Sequence, residues 1–449
     1  MWFVYLLTLF NALVSHYGFV NVYRITIGFA YINTIDIAAL VLFLLGAFSS
    51  QSGAEPKSRT HAMLMVIIGL LSLGAVMGFV GAMMNQIPMP YVFRHFRDYA
   101  AWPVCVFAGY RLLGNSRSAW RWMYVLVVAG MIVATMNLTH FYENAESISY
   151  AGSSINVVRS VNFIGTYAGV AAVLCIYSIV SRSVRMMPAV PAAVIASYCV
   201  LGYFAPLTRG DWLQFVCGAC ALIFLLPRGK RLRSFFKGVL IAPVLAVAFY
   251  FAIQQASTLM HKDFGKMLAD RVTSLLPTAR ETSTETKAWD SRVGSIGQEL
   301  QIWMANPLMG QGFASQNALV ARGELENTSA YGHNGWSSVL ATTGIFGFAG
   351  FMSVVGSLLV VGRRLVFNGH NRGQIMLGAA AFTCGVFAFI NVLTSGVWFQ
   401  RLAVFIGVMC GAALRMRDIQ LSADLEPHDD DLHVYEEMED SSHPVAGAL

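Results

Sequence analysis

The chain has 449 residues, of which 56% are hydrophobic and only 12% charged, about half the charged share of an ordinary soluble domain. That composition excludes a soluble globular enzyme, implies no nucleic-acid partner, and predicts an all-α integral membrane protein, since backbone polar groups in lipid must be satisfied within helices or closed barrels. The net charge of +6 conceals a division: residues 418–449 hold ten acids and no Lys or Arg, which leaves 30 basic and 14 acidic residues over the rest.

Apolar stretches of about 20 residues, the length that crosses the hydrocarbon core as a helix, predict spans near 2–21, 25–48, 62–84, 99–114, 120–138, 161–180, 188–205, 211–227, 238–256, 334–361, 373–393 and 398–414, twelve transmembrane helices in all. The first lacks a basic start and a small-residue cleavage site and reads as a retained helix rather than a signal peptide. Asp36 falls in the second. A carboxylate at that depth requires a partner, a water-filled cavity or protonation, unless it sits near an end of the span. Ahead of the fourth span, Arg94 and Arg97 stand among Tyr91, Phe93 and Phe96, the pattern of an interfacial anchor, with phosphate contact as the functional alternative. Asn137-Leu-Thr139 and Asn327-Thr-Ser329 have the form of glycosylation sequons and are read as chance.

All seven cysteines lie inside predicted spans, so no disulfide is expected. Cys217-Gly-Ala-Cys220 has redox or metal spacing, but within an apolar helix it is better read as small residues that let helices pack.

The long segment 257–333, between spans nine and ten, is more than a linker. Ile296, Leu300, Trp303 and Met304 recur at the spacing that lines one face of an amphipathic helix, fit to lie on the membrane surface or over the bundle. Pro307, Gly310 and Gly312 then turn the chain back. The chain thus divides into helices one to nine over 1–256, a large outer loop over 257–333, helices ten to twelve over 334–414, and a tail over 415–449 whose acidity predicts disorder. Within the tail, Asp429-Asp430-Asp431, flanked by His428 and His433, has metal-binding chemistry but no folded domain around it.

Orientation follows from the positive charges, because short loops rich in Lys and Arg stay in the cytoplasm. Loops and helix ends after even-numbered spans carry 17 basic residues, against six Arg and no Lys in the short loops of the other side. Both termini are therefore expected in the cytoplasm and 257–333 outside.

At the end of that outer loop, His333-Asn334 is followed after nine residues by Gly344-Ile-Phe-Gly347. Upstream stand Arg292, Trp303 and Asn306-Pro-Leu-Met-Gly-Gln-Gly-Phe313, and Thr208-Arg209-Gly210 opens the eighth span. These elements resemble the signature of the bacterial O-antigen ligase and polysaccharide polymerase family. The resemblance covers the C-terminal half; the N-terminal half shares only its hydrophobic helices.

The resemblance implies an enzyme of the inner membrane, with its active site facing the periplasm, that moves a glycan from undecaprenyl diphosphate to an acceptor hydroxyl with inversion. It implies no metal and no cofactor. His333 is the expected catalytic residue: an imidazole titrates near 6.5 and can take a proton from an attacking hydroxyl. Asn334 either orients that ring, binds a glycan hydroxyl, or caps the tenth span. Arg209 and Arg292 are expected to hold the departing diphosphate through their planar guanidinium groups, with a local ion pair to Asp211 as the alternative for Arg209. Gly344, Gly347 and Gly350 share a helix face and are read as packing residues. A polymerase of O-antigen or exopolysaccharide repeats is the first reading, and a ligase joining glycan to a lipid A core the second. From another class comes a flippase for lipid-linked glycan, which would favour broken helices and midplane ionisable groups.

Overall fold

The computed structural model describes residues 2–13, 25–27, 30–32, 34–49, 59–144, 165–181, 184–206, 209–226, 258, 284–315, 335–394 and 400–423. Helix α1 (Trp2–Leu13) precedes a small antiparallel hairpin, β1 (Ile25–Ile27) and β2 (Ala30–Ile32), in which Thr26 faces Tyr31. There follow α2 (Thr34–Phe48), α3 (Arg59–Met84), α4 (Met89–Leu112), α5 (Ser116–Asn144), α6 (Thr166–Val180), α7 (Ala189–Phe204), α8 (Arg209–Leu225), α9 (Thr284–Ala305), α10 (Gly335–Asn368), α11 (Arg372–Thr394) and α12 (Gln400–Ala423).

The protein is largely helical, but the expectation of twelve transmembrane helices is overturned. Among the described residues four helices are long and apolar enough to cross a membrane: α3, α5 over Ser116–His140, α10, and α11 over Arg372–Leu393. The physical reasons differ from place to place. Helix α1 has 12 residues, about 18 Å at 1.5 Å per residue, against a hydrocarbon core of about 30 Å. The predicted span 25–48 is broken by the hairpin before α2 begins. Helices α6, α7 and α8 are apolar but have only 15, 16 and 17 residues. Helices α4 and α12 each have 24, yet every 18-residue stretch of α4 takes in at least three of Arg94, Arg97, Asp98 and Arg111, and α12 is charged at Arg401, Arg415, Arg417 and Asp418. An apolar window measures composition; it does not register where the backbone stops being a helix. The predicted span 238–256 and the tail beyond Ala423 lie outside the described residues.

At the centre α10 packs along α11 on one side and α3 on the other, while α4 pairs with α12. Glycine makes the α3–α10 contact close: a Cβ on Gly74 would overlap the Gly347 backbone, and one on Gly350 would lie 2.8 Å from Leu71 N. Two polar ties fix α4. Arg97 Nε lies 3.3 Å from Asp36 Oδ1, so the acid, which lies in the first turn of α2 and thus near an end of that helix's apolar run, has a partner. At the other end the buried Asp418 of α12 accepts a hydrogen bond from Tyr110 Oη, with Arg415 over the Tyr110 ring at 5.5 Å.

Candidate functional site

Helix α10 is not one continuous helix. At Gly344 the backbone takes φ 65° and ψ −163°, a region open essentially only to glycine, and the ladder of hydrogen bonds is interrupted. An α-helix would pair the Ile345 N–H with the Ala341 carbonyl. Here both groups find partners in the loop that follows α9: Ile345 N–H donates to Pro307 O at 3.0 Å, and Gln311 N–H donates to Ala341 O at 2.8 Å. The segment Pro307–Gln311 is thus spliced into the break, which leaves neither group to lipid, where an unpaired backbone group costs several kcal/mol. Gly344 is therefore a break point and not, as its spacing suggests, part of a packing face with Gly347 and Gly350.

The other side of the loop is anchored to α3 and α4. Phe313 N–H donates to Gly78 O at 2.9 Å, and Asn85 Nδ2 donates to Gln311 O at 2.9 Å. The Phe313 ring is fully buried, with the rings of Phe96 and Tyr99 centred 6.0 and 5.7 Å away. Gly312, at φ 93°, lies so close to α3 that a Cβ would overlap the Ala82 backbone. Its conformation and its surroundings both demand glycine.

Helix α9 rests on the first turns of α10. Its most buried described residue is Glu299, 3% exposed, whose carboxylate accepts a hydrogen bond from Ser337 Oγ. The apolar stripe behaves differently from the carboxylate: Ile296, Leu300 and Trp303 are half-buried and Met304 is exposed. The helix thus turns a polar residue inward and keeps apolar surface outward. Trp303 Nε1 donates to Pro307 O at 3.0 Å, so the tryptophan braces the same carbonyl that closes the break.

The predicted site residues fall unevenly around this assembly. Arg94 and Arg97 lie in the first turns of α4, next to the Phe96 and Tyr99 that hold Phe313. Arg97 is taken up by two carboxylates, Asp36 at 3.3 Å and Asp98 at 3.2 Å, whereas Arg94 is exposed and forms no ion pair among the described residues. Arg209 is the first residue of α8. Arg292 lies on α9, seven residues before Glu299. The side chains of Arg209 and Arg292, and His333 and Asn334 altogether, lie outside the described residues; Gly335 starts α10. Among the described residues no three His, Cys, Asp or Glu side chains gather to hold a metal ion. Sequence reasoning passed over Glu299, although it is the only charged residue between Arg292 and Asn306. A lone acid in an otherwise uncharged stretch was its signal.

No curated protein matches the chain. Residues 191–352 match the family described as O-antigen ligase. That region takes in α7, α8, α9, the spliced loop and α10 to just past its break, while Arg94 and Arg97 lie before it. Over residues 191–352, a little over a third of its length, the chain carries a domain of the O-antigen ligase and polymerase family.

Proposed function

We propose that the protein is a membrane glycan ligase. It joins a glycan carried on undecaprenyl diphosphate to an acceptor hydroxyl, with a lipid A core sugar as the acceptor class, at the outer face of the inner membrane. The ligase description of the matching family favours joining over the polymerisation suggested by the sequence reading. The carrying observation is that the match contains both partners of the junction at Gly344, the loop Pro307–Gln311 and the break in α10.

In this reading His333 takes the proton from the acceptor hydroxyl as its oxygen attacks the anomeric carbon. The bond from that carbon to the phosphate oxygen breaks, and undecaprenyl diphosphate departs with the electron pair. Arg209 and Arg292 stabilise the departing charge, an electrostatic task that arginines can perform without a divalent ion. Asn334 and Arg94 position the donor, and Arg97 acts through the pairs it makes with Asp36 and Asp98. The break in α10 does not lend weight to a transporter. In transporters half-helix ends point at substrate, whereas here the carbonyl of Ala341 and the amide of Ile345 are occupied by the loop.

A deletion strain tests the reading. Loss of long glycan from lipid A, with free polymer accumulating on its lipid carrier, is the expected outcome. Products that carry a single repeat would instead mark a polymerase, and unaltered glycan would remove the assignment.

A further inference from the structure

Helix α10 has only two charged residues in its 34, the adjacent Arg363 and Arg364. Both are exposed, and among the described residues neither forms an ion pair. They line a cleft of about 570 Å³ between α10 and α11, with Leu359 and Val360 a turn before them, Phe367 and Asn368 a turn after, and Phe382 across from α11. The cleft follows from how the two helices meet. At Gly362 they touch nearly backbone to backbone, since a Cβ there would lie 2.7 Å from Phe382 N and 2.8 Å from Gly378 O. The side chains flanking this contact are thereby left as walls of a groove open to the outside.

The order of chemistry along the groove is specific. Leu359 and Val360 each lie one turn before an arginine, on the side of the uncharged run that crosses the membrane. Arg363 stands over the Phe367 ring at 5.7 Å, a cation–π contact within the lining of the cleft. Arg372, exposed at the start of α11, adds a third positive charge at this end. The acid nearest the end of α12, Asp418, is 1% exposed and already engaged with Tyr110. An apolar groove carrying two adjacent guanidinium groups with no ion pair among the described residues, at the end of a long uncharged helical run, complements one class of molecule.

We propose that this cleft holds an anionic phospholipid, with its phosphate against Arg363 and Arg364 and one acyl chain along Leu359, Val360 and Phe382. The test is native mass spectrometry of the full chain in detergent with equal amounts of phosphatidylglycerol and phosphatidylcholine. Phosphatidylglycerol should be retained preferentially, and Arg363→Gln with Arg364→Gln should lower its retention by about tenfold, toward that of phosphatidylcholine. Both arginines are exposed, so the bundle should survive, and the elution profile monitors it. Val360→Trp, which keeps both charges but fills the apolar wall, should also lower retention.

Equal retention of the two lipids by the wild type would overturn the proposal, as would unchanged phosphatidylglycerol binding in the double variant. Displacement by excess inorganic phosphate would mark a site for a free anion instead. The acidic segment after Ala423 is the rival occupant, because Gln420 of α12 donates to the Asn368 carbonyl at the end of α10 and the segment starts four residues later. Phosphatidylglycerol binding that appears only after removal of residues 424–449 would assign the cleft to that segment and sink the lipid.

Discussion

The amide of Ile345 donates to the carbonyl of Pro307 at 3.0 Å, across a sequence separation of 38 residues. An amide in the interior of a span ordinarily has its partner one turn back in its own helix. Here the partner belongs to a loop, so the loop is a structural part of α10, and neither can move without exposing backbone groups of the other. The two glycine-bearing elements that form the halves of this junction, one in the loop and one in the helix, both lie within the matched residues 191–352.

Replacing Gly344 therefore strikes both halves. Gly344→Ala places a Cβ against the Leu308 carbonyl in a backbone conformation alanine rarely adopts, and such strain costs on the order of 1–3 kcal/mol before any clash. A lower thermal midpoint in detergent and reduced transfer are expected. Gly356→Ala, in the same helix with open space at its Cβ, should be neutral or stabilising by up to about 1 kcal/mol. Equal midpoints for the two variants would contradict the account of the break.

Glu299 and Ser337 join α9 to the start of α10 through a buried hydrogen bond. Glu299→Ala leaves the Ser337 hydroxyl without that acceptor, at a cost of about 1–3 kcal/mol. Glu299→Gln keeps an acceptor oxygen and should unfold close to wild type. Thermal scans of the two variants decide the matter: if Ala is as stable as Gln, the pair does not hold α9 in place.

The parts of this architecture were legible to different degrees. Helical segments showed in the apolar runs, and the loop showed in Asn306-Pro307 and its glycines, because those signals are local. The pairing of Gln311 with Ala341 was not visible, since it depends on where a helix breaks, and Gly344 at i, i+3, i+6 with Gly347 and Gly350 looks like a packing stripe. Asp36 left a partner open among other readings and could not name Arg97, which lies 61 positions away. Glu299 was hidden by the apolar residues around it: the stripe of Ile296, Leu300 and Trp303 drew the reading to the face that the fold leaves partly outside.

The chemistry assigned to Arg209 and Arg292 makes a prediction about metal. If guanidinium groups alone offset the charge of the departing diphosphate, purified enzyme in excess chelator should keep its transfer rate. Activity lost to chelator and restored by a divalent ion would show that a cation shares the task.

Orientation can be checked independently of chemistry. Ser283→Cys should react with an impermeant thiol reagent in intact cells and Lys230→Cys, within the basic run Arg228–Lys237, should not, as transfer at the outer face requires. The reverse pattern would place the glycan-transfer site on the wrong side of the membrane for the proposed reaction.

The proton and charge roles are separable by substitution. His333→Ala should leave the protein folded and able to bind donor lipid while cutting turnover by roughly 10²- to 10⁴-fold, the usual contribution of general acid–base catalysis. At Arg209 and Arg292, a change to Lys keeps the charge but loses the two-pronged grip on phosphate oxygens. Each Arg→Lys variant should therefore be nearly as impaired as the corresponding Arg→Ala, with the loss in turnover exceeding the loss in donor binding, because charge on the leaving oxygen grows as the bond to the sugar breaks. Glycan transfer near the wild-type rate by His333→Ala and by both lysine variants, at matched expression, would remove these residues from the reaction. It would leave the domain as a carrier of lipid-linked glycan rather than the enzyme that transfers it.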